Sequence, residues 1–196
     1  IAGGTFNQIS ASNSFIGAGS GSSALNSNRV TADNASIVSG TGNLVSGASA
    51  HVGAGTDNTI SAASSAIMAG ATNAVSAASG AVTNSAVVAG NNNQVLSTSA
   101  TALDNSAIVC GQFNRISGAA TNAFIGGGSG TSSGNSNRVT GANSGIMVGT
   151  NNQVTTARSA TVAGTGNLAS AADAAVVCGT SNKIGERRVG KECLRL

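Results

Sequence analysis

Apolar and polar positions recur along this chain in one fixed phrase. Four small or apolar residues run into a glycine. Two variable residues, an asparagine, a variable residue and an aliphatic residue follow, as in "SAIVCGQFNRIS" at residues 106–117. Aligned on the glycine and the asparagine, the regular units are Gly4/Asn7, Gly40/Asn43, Gly55/Asn58, Gly70/Asn73, Gly90/Asn93, Gly111/Asn114, Gly149/Asn152, Gly164/Asn167 and Gly179/Asn182. Two more units, Gly19…Asn28 and Gly128…Asn137, carry an insertion, which brings the total to eleven. The commonest spacing between successive asparagines is 15, and the exceptions, 20, 21 and 23, are a regular unit plus a loop.

Each column of the repeat has a physical meaning. Two places after the asparagine stands an aliphatic residue (Val30, Val45, Ile60, Val75), flanked by mostly polar residues before it and mostly Ser or Thr after it. Polar, apolar, polar predicts a short strand with one buried face. The segment before the glycine ("SAIVCG", "SAVVAG", "SAIMAG") is apolar or small on both faces. A strand of that kind is covered on both sides, and a coil of 15 residues covers only one, so the other calls for further copies of the chain. The glycine permits a backbone turn that other residues resist. The asparagines, Asn7, Asn28, Asn43, Asn58, Asn73, Asn93, Asn114, Asn137, Asn152, Asn167 and Asn182, are expected to stack rung on rung, each amide bonding backbone groups and its neighbour. The fold class is therefore all-β, a parallel β-solenoid of eleven rungs. At the strand spacing it would be a rod about 50 Å long. Helix is disfavoured by dense Gly and β-branched residues without a 3.6-residue period.

Composition agrees with a repeat scaffold. The 196 residues hold 28 Gly and no Pro, Trp or Tyr, and 8% are charged. The repeat occupies residues 1–184, and residues 185–196 form a basic polar tail with Arg187, Arg188, Lys191 and Arg195 against Glu186 and Glu192. Residues 1–184 carry five basic and four acidic side chains, so the excess charge belongs mostly to the tail. Interleaved with glutamates, those cations read as a polar junction rather than a nucleic-acid arm. No apolar run is long enough to span a membrane as a helix. Residues 13–45 also match residues 122–154 without gaps, with 20 of 33 positions identical, so a block of rungs has been duplicated.

The phrases "NSAIVCGQFNRIS", "SAVVAGNNNQVLS" and "SAIMAGATNAVS" resemble the YadA-like head repeats of trimeric autotransporter adhesins. The G-x-x-N-x-[VI] form also resembles β-roll repeats of phage tail fibres and giant-virus surface fibres. The resemblance implies a left-handed parallel β-roll with three chains around one axis. It implies a homotrimer on a cell or virion surface, serving as a fibre segment that spaces or presents a receptor-attachment function.

Candidate chemistry is sparse. Cys110 and Cys178 share one column four rungs apart, too far for a disulfide, and read as small buried residues. Cys193 lies in the tail. His51 is the single histidine and has no Ser/Asp partner set in sequence. "GAGSG" and "GGGSG" lack the Gly-Lys-Ser/Thr ending and the helix of a phosphate loop. The acids are scattered, so no pair for glycan hydrolysis and no metal-ligand spacing is evident. No catalytic residue, cofactor or metal is expected. Loops on a rigid scaffold are where recognition sits, which makes Ser20, Leu25, Asn26, Thr98, Leu103, Asp104 and Thr131 the expected contact residues for a cell-surface or glycan receptor. The alternatives are a passive spacer and an ice-binding solenoid. Period 15 and Ser/Thr/Ala richness suit ice binding, whereas the Ser/Thr column is one residue wide and mostly Ser, not a Thr-x-Thr array.

Overall fold

The computed structural model describes residues 1–21, 23, 26–77, 81–98 and 102–185. Leu25 and the tail from residue 186, with Cys193, lie outside them. The chain winds as a parallel β-solenoid. Each coil contributes one short strand to each of two sheets, and strands of neighbouring coils pair in register.

The first sheet has eleven strands and holds the residues after each asparagine, from Gln8–Ile9 through Arg29–Val30 and Gln94–Ser97 to Lys183–Ile184. The second has ten and holds the residues before each glycine, from Phe15–Ile16 through Ala107–Ile108 to Ala175–Val176. Period-two alternation along these strands sends one aliphatic residue per strand inward. Val30, Val45, Ile60 and Val75 from the first sheet meet Ile37, Val52, Ile67 and Val87 from the second, all fully buried. A single coil could not exclude water from so narrow a core, and stacking provides the rest.

Left-handed backbone marks the corners. The turn glycines have φ between 90° and 139°, from Gly4 to Gly19. A Cβ on Gly55 would overlap the Gly70 carbonyl oxygen and come within 2.7 Å of Asn58 Nδ2. Glycine is thus required there by conformation and by space. Two more corners use Asn, Asp, Ser or Thr at positive φ, among them Asp57, Asn84, Asn105 and Asp173, residue types that tolerate this region. Arg158 and the aromatic Phe6 and Phe113 also adopt it.

Two polar ladders run through the interior. Asn58 shows the asparagine pattern. Its backbone N–H and its Nδ2 both donate to Asn43 Oδ1 at 3.0 Å, and Nδ2 also donates to the Gly70 carbonyl at 2.9 Å. Its own Oδ1 accepts from Asn73 in the same way. The nine asparagines from Asn28 to Asn167 are at most 1% exposed. The second ladder is serine. The backbone N–H of Ser85 donates to Ser65 Oγ, that of Ser106 to Ser85 Oγ, and that of Ala123 to Ser106 Oγ, at 3.1–3.2 Å.

Two expectations need correction. Leu103, placed by the sequence on an exposed contact loop, is fully buried. Leu103–Asp104 pairs with Val82–Thr83 in a small two-stranded sheet, because apolar residues in two successive insertions cover each other. Cys110 and Cys178, read as buried, are exposed. Their column lies between the outward-facing residue and the turn glycine, so the side chains stay outside the coil, and Cys110 Sγ donates to the Gly126 carbonyl at 3.3 Å.

Candidate functional site: the two outward sheet faces

The insertions do not form one site. Ser20 and Thr131 belong to inserts between a glycine and an asparagine, in the second and the eighth of the eleven rungs. Ser20 is exposed and its carbonyl accepts from Thr41 Oγ1 at 2.9 Å. Thr131 is exposed and accepts from Asn135 Nδ2 at 3.4 Å. Asn26 and Thr98 are exposed. Asp104 is half-buried and accepts from the hydroxyl and the backbone N–H of Thr83 at 2.7 and 3.0 Å. Among the described residues no group of three His, Cys, Asp or Glu side chains could hold a metal ion. His51 Nδ1 lies 2.7 Å from Ser36 Oγ on the neighbouring strand of the second sheet, which gives that ring nitrogen a local partner.

What the fold does assemble is two long outward faces of opposite chemistry. On the first sheet, the column before the aliphatic residue includes Gln8, Arg29, Thr59, Gln94, Arg115, Arg138, Gln153 and Lys183. The column after it is mostly Ser and Thr, such as Ser46, Ser61, Thr140 and Thr155.

The outward face of the second sheet carries no Lys, Arg, Asp or Glu, and His51 is its one titratable side chain. Each strand offers two outward positions flanking the buried aliphatic residue, and every rung places one large group there. Where the first position is large, at Phe15, His51 and Phe124, the second is Gly17, Gly53 and Gly126. Where the first is small, as at Ser36, Ala66, Ala86, Ala107, Gly145, Ala160 and Ala175, the second is Val or Met. A Cβ on Gly126 would lie 3.3 Å from Phe124 Cε1, and one on Gly17 3.1 Å from Phe15 Cε1, so each ring leans across its glycine and fills the missing place. Side-chain volume per rung is thereby held nearly constant. The aliphatic column stays exposed, from 37% at Val109 to 66% at Val177.

The 15-residue period predicts both sheets but does not reveal this exchange of large and small groups. The signal is present in the repeated "F-I-G" against "A-[IV]-[VM]". Nor does the period reveal the serine ladder, announced by the recurring Ser before Ala-Ile and Ala-Val, or a third ladder of single bridges at the glycine corner, where Thr41, Thr56 and Ala71 pair in succession, as do Thr150, Thr165 and Thr180.

Among families of known proteins, residues 30–127 match the model of the grass antifreeze beta roll. That stretch is half of the 196 residues and takes in the rod from Val30 through the strand Phe124–Ile125, together with the small two-stranded sheet. The β-roll repeat is what the match supports, and it is a different family from the adhesin-head and fibre repeats that the sequence resembles. No curated protein matches the chain.

Proposed function

Because the chain belongs to the grass antifreeze beta-roll family, we propose that it binds ice, and that the outward face of the second sheet is the surface that does so. One observation supports the choice of face: ten in-register rungs, each with one large and one small outward group, none of them ionic. A lattice is met best by groups that repeat at a fixed interval, and the strand spacing of roughly 4.8 Å provides one. Charged side chains hold water in orientations of their own, and the arginines and lysine on the first sheet disqualify that face. Small apolar groups restrict first-shell water without binding it strongly, so interfacial water can adopt the order of the ice. The Thr-x-Thr array anticipated for such an activity is absent from both sheets. Ala-x-Val and Ala-x-Met take its place, at the same two-residue spacing. Such a protein would work outside the cell, where ice forms first.

The test is thermal hysteresis and inhibition of ice recrystallisation by the purified chain, with two arginine variants. Ala107→Arg puts a charge in the middle of the second sheet and should abolish both activities. Gln94→Arg adds the same charge to the first sheet and should leave them intact. Absence of both activities from the unaltered chain would refute ice binding.

A second reading draws on the same exposed Val and Met column. A contiguous apolar face of this length is a self-association surface on many proteins, and three chains packed through it would give the trimeric fibre segment that the adhesin-like phrases imply. Light scattering separates the two. A monomer with ice activity fits the first, and a particle of three times the 18.6 kDa chain mass without ice activity fits the second.

A further inference from the structure

The first sheet raises a separate question, independent of ice binding. Five basic side chains are described between residues 1 and 185, and four of them, Arg29, Arg115, Arg138 and Lys183, stand in one straight outward column of this sheet. The fifth, Arg158, sits at a corner and is paired with Asp173, Nε to Oδ1 at 2.6 Å and Nη2 to Oδ2 at 2.9 Å. Of the four described acids, Asp33, Asp57 and Asp173 lie at corners and Asp104 in the small two-stranded sheet. Asp33 accepts from the Ser12 backbone, Asp104 from Thr83 and Asp173 from Arg158, while Asp57 occupies a left-handed turn position. Among the described residues the Arg158–Asp173 pair is the one salt bridge, so the cations of the column have no acidic partner.

Arg115 and Arg138 are direct partners on adjacent strands. Like charges directly opposite each other in a sheet are unfavourable. Arg115 is moreover half-buried, with a buried Nε that has no hydrogen-bond partner. Gln94 flanks the pair on one side and Gln153 on the other. Two guanidinium forks about 4.8 Å apart match a single oxyanion held between them. From Arg29 to Lys183 the column runs nine strand steps, about 43 Å; Leu44, Thr59, Ala74, Gln94, Gln153 and Leu168 stand between the cations, and the Ser/Thr column runs alongside.

We propose that this column is a docking track for a linear acidic polysaccharide, with one carboxylate seated between Arg115 and Arg138. A uronic-acid polymer carries a carboxylate and hydroxyls on each sugar, and the track sets Arg115 and Arg138 beside the amides of Gln94 and Gln153 and the hydroxyls of the neighbouring Ser/Thr column. Nucleic acid fits less well. Duplex DNA carries a charge about every 1.7 Å, far denser than four cations over the track, and the outward columns of this sheet hold no aromatic residue for base stacking. The two faces would then have separate partners, the rod being anchored through one and leaving the other free.

The experiment uses the full chain and immobilised polygalacturonate, with neutral dextran and a DNA duplex as comparison probes. The chain should be retained on polygalacturonate at low ionic strength, be released by salt and pass through dextran. The double change Arg115→Gln/Arg138→Gln should weaken retention by about tenfold or more, while Arg158→Gln, a cation lost elsewhere, should leave it within about twofold. Arg138 and Arg158 are exposed and Arg115 is half-buried on the same outward face as Arg138, and matching melting curves establish that the variants fold. No retention of the native chain, equal retention on dextran, tighter binding to DNA, or a double variant that binds like the native chain would each overturn the proposal. The last result would place the binding on the basic tail.

Discussion

At the scale of single residues, stability depends on polar side chains that would normally be costly inside a protein. The amide of Asn58 satisfies four groups at once: Asn43 Oδ1, the Gly70 carbonyl, and the backbone N–H and Nδ2 of Asn73. Replacing it by Ala leaves the buried Asn73 backbone N–H without its acceptor, while the Gly70 carbonyl keeps the Thr56 N–H and loses its second donor. The unsatisfied N–H costs about 1–3 kcal/mol, and in a chain of this size each kcal/mol moves the midpoint by about 2–4 °C. Asn58→Ala should therefore lower the melting temperature by several degrees, and an unchanged melt would contradict the buried ladder. Thr161 presents the opposite case. It occupies the inward column between Ile146 and Val176, is fully buried, and its Oγ1 has no hydrogen-bond partner. Thr161→Val removes an unsatisfied hydroxyl at nearly constant volume and should stabilise by about 1 kcal/mol. A lower melting temperature would show that the hydroxyl is satisfied in solution.

At the scale of strands and turns, the sequence was legible where one residue type does one job in every coil. The glycine and asparagine columns, the aliphatic column after each asparagine, and the apolar segment before each glycine all correspond to one corner or one strand. Legibility failed where a position's role depends on a neighbouring rung. Leu103 looked like part of a loop because its insertion breaks the 15-residue period. Its partner Val82 lies in the previous insertion, and only the parallel phrases "VTNSA" and "LDNSA" hint that both form an extra rung of sheet. The cysteine column was misread for a related reason. Alternation specifies which side a strand residue faces, and it lapses in the residue between the strand and the left-handed glycine. The compensation of Phe15 by Gly17 and of Phe124 by Gly126 is likewise a property of the face rather than of one column. The candidate ice-binding surface could be recognised only once both outward positions of every rung were compared.

At the scale of the whole molecule, the rod is nearly one-dimensional, and each coil contacts its neighbours above and below. Its tolerance to length changes should therefore depend on register rather than on the number of residues removed. Successive asparagines are never closer than 15 residues, although they are 20, 21 or 23 apart where a corner carries an insertion. Fifteen is thus the shortest chain that closes a coil here, and extra residues leave through corners. Deleting residues 44–58 removes one complete rung and joins Asn43 to Thr59, so the following asparagine is again 15 residues away. Both sheets keep their pairing and lose one strand each. Deleting Thr59 alone leaves a coil of 14. Ile60 then moves into the outward place of Thr59 and Ser61 into the core, since a one-residue shift turns a strand inside out. The loss of one residue should consequently lower the melting temperature more than the loss of fifteen. Thermal hysteresis should follow the same order, because the shorter rod retains nine of its ten second-sheet rungs in register, while a faulty coil interrupts the array proposed to face the ice. A Thr59 deletion that melts at or above the 44–58 deletion would mean that the coil closes without a fixed register, and the regular face built on that register would lose its basis.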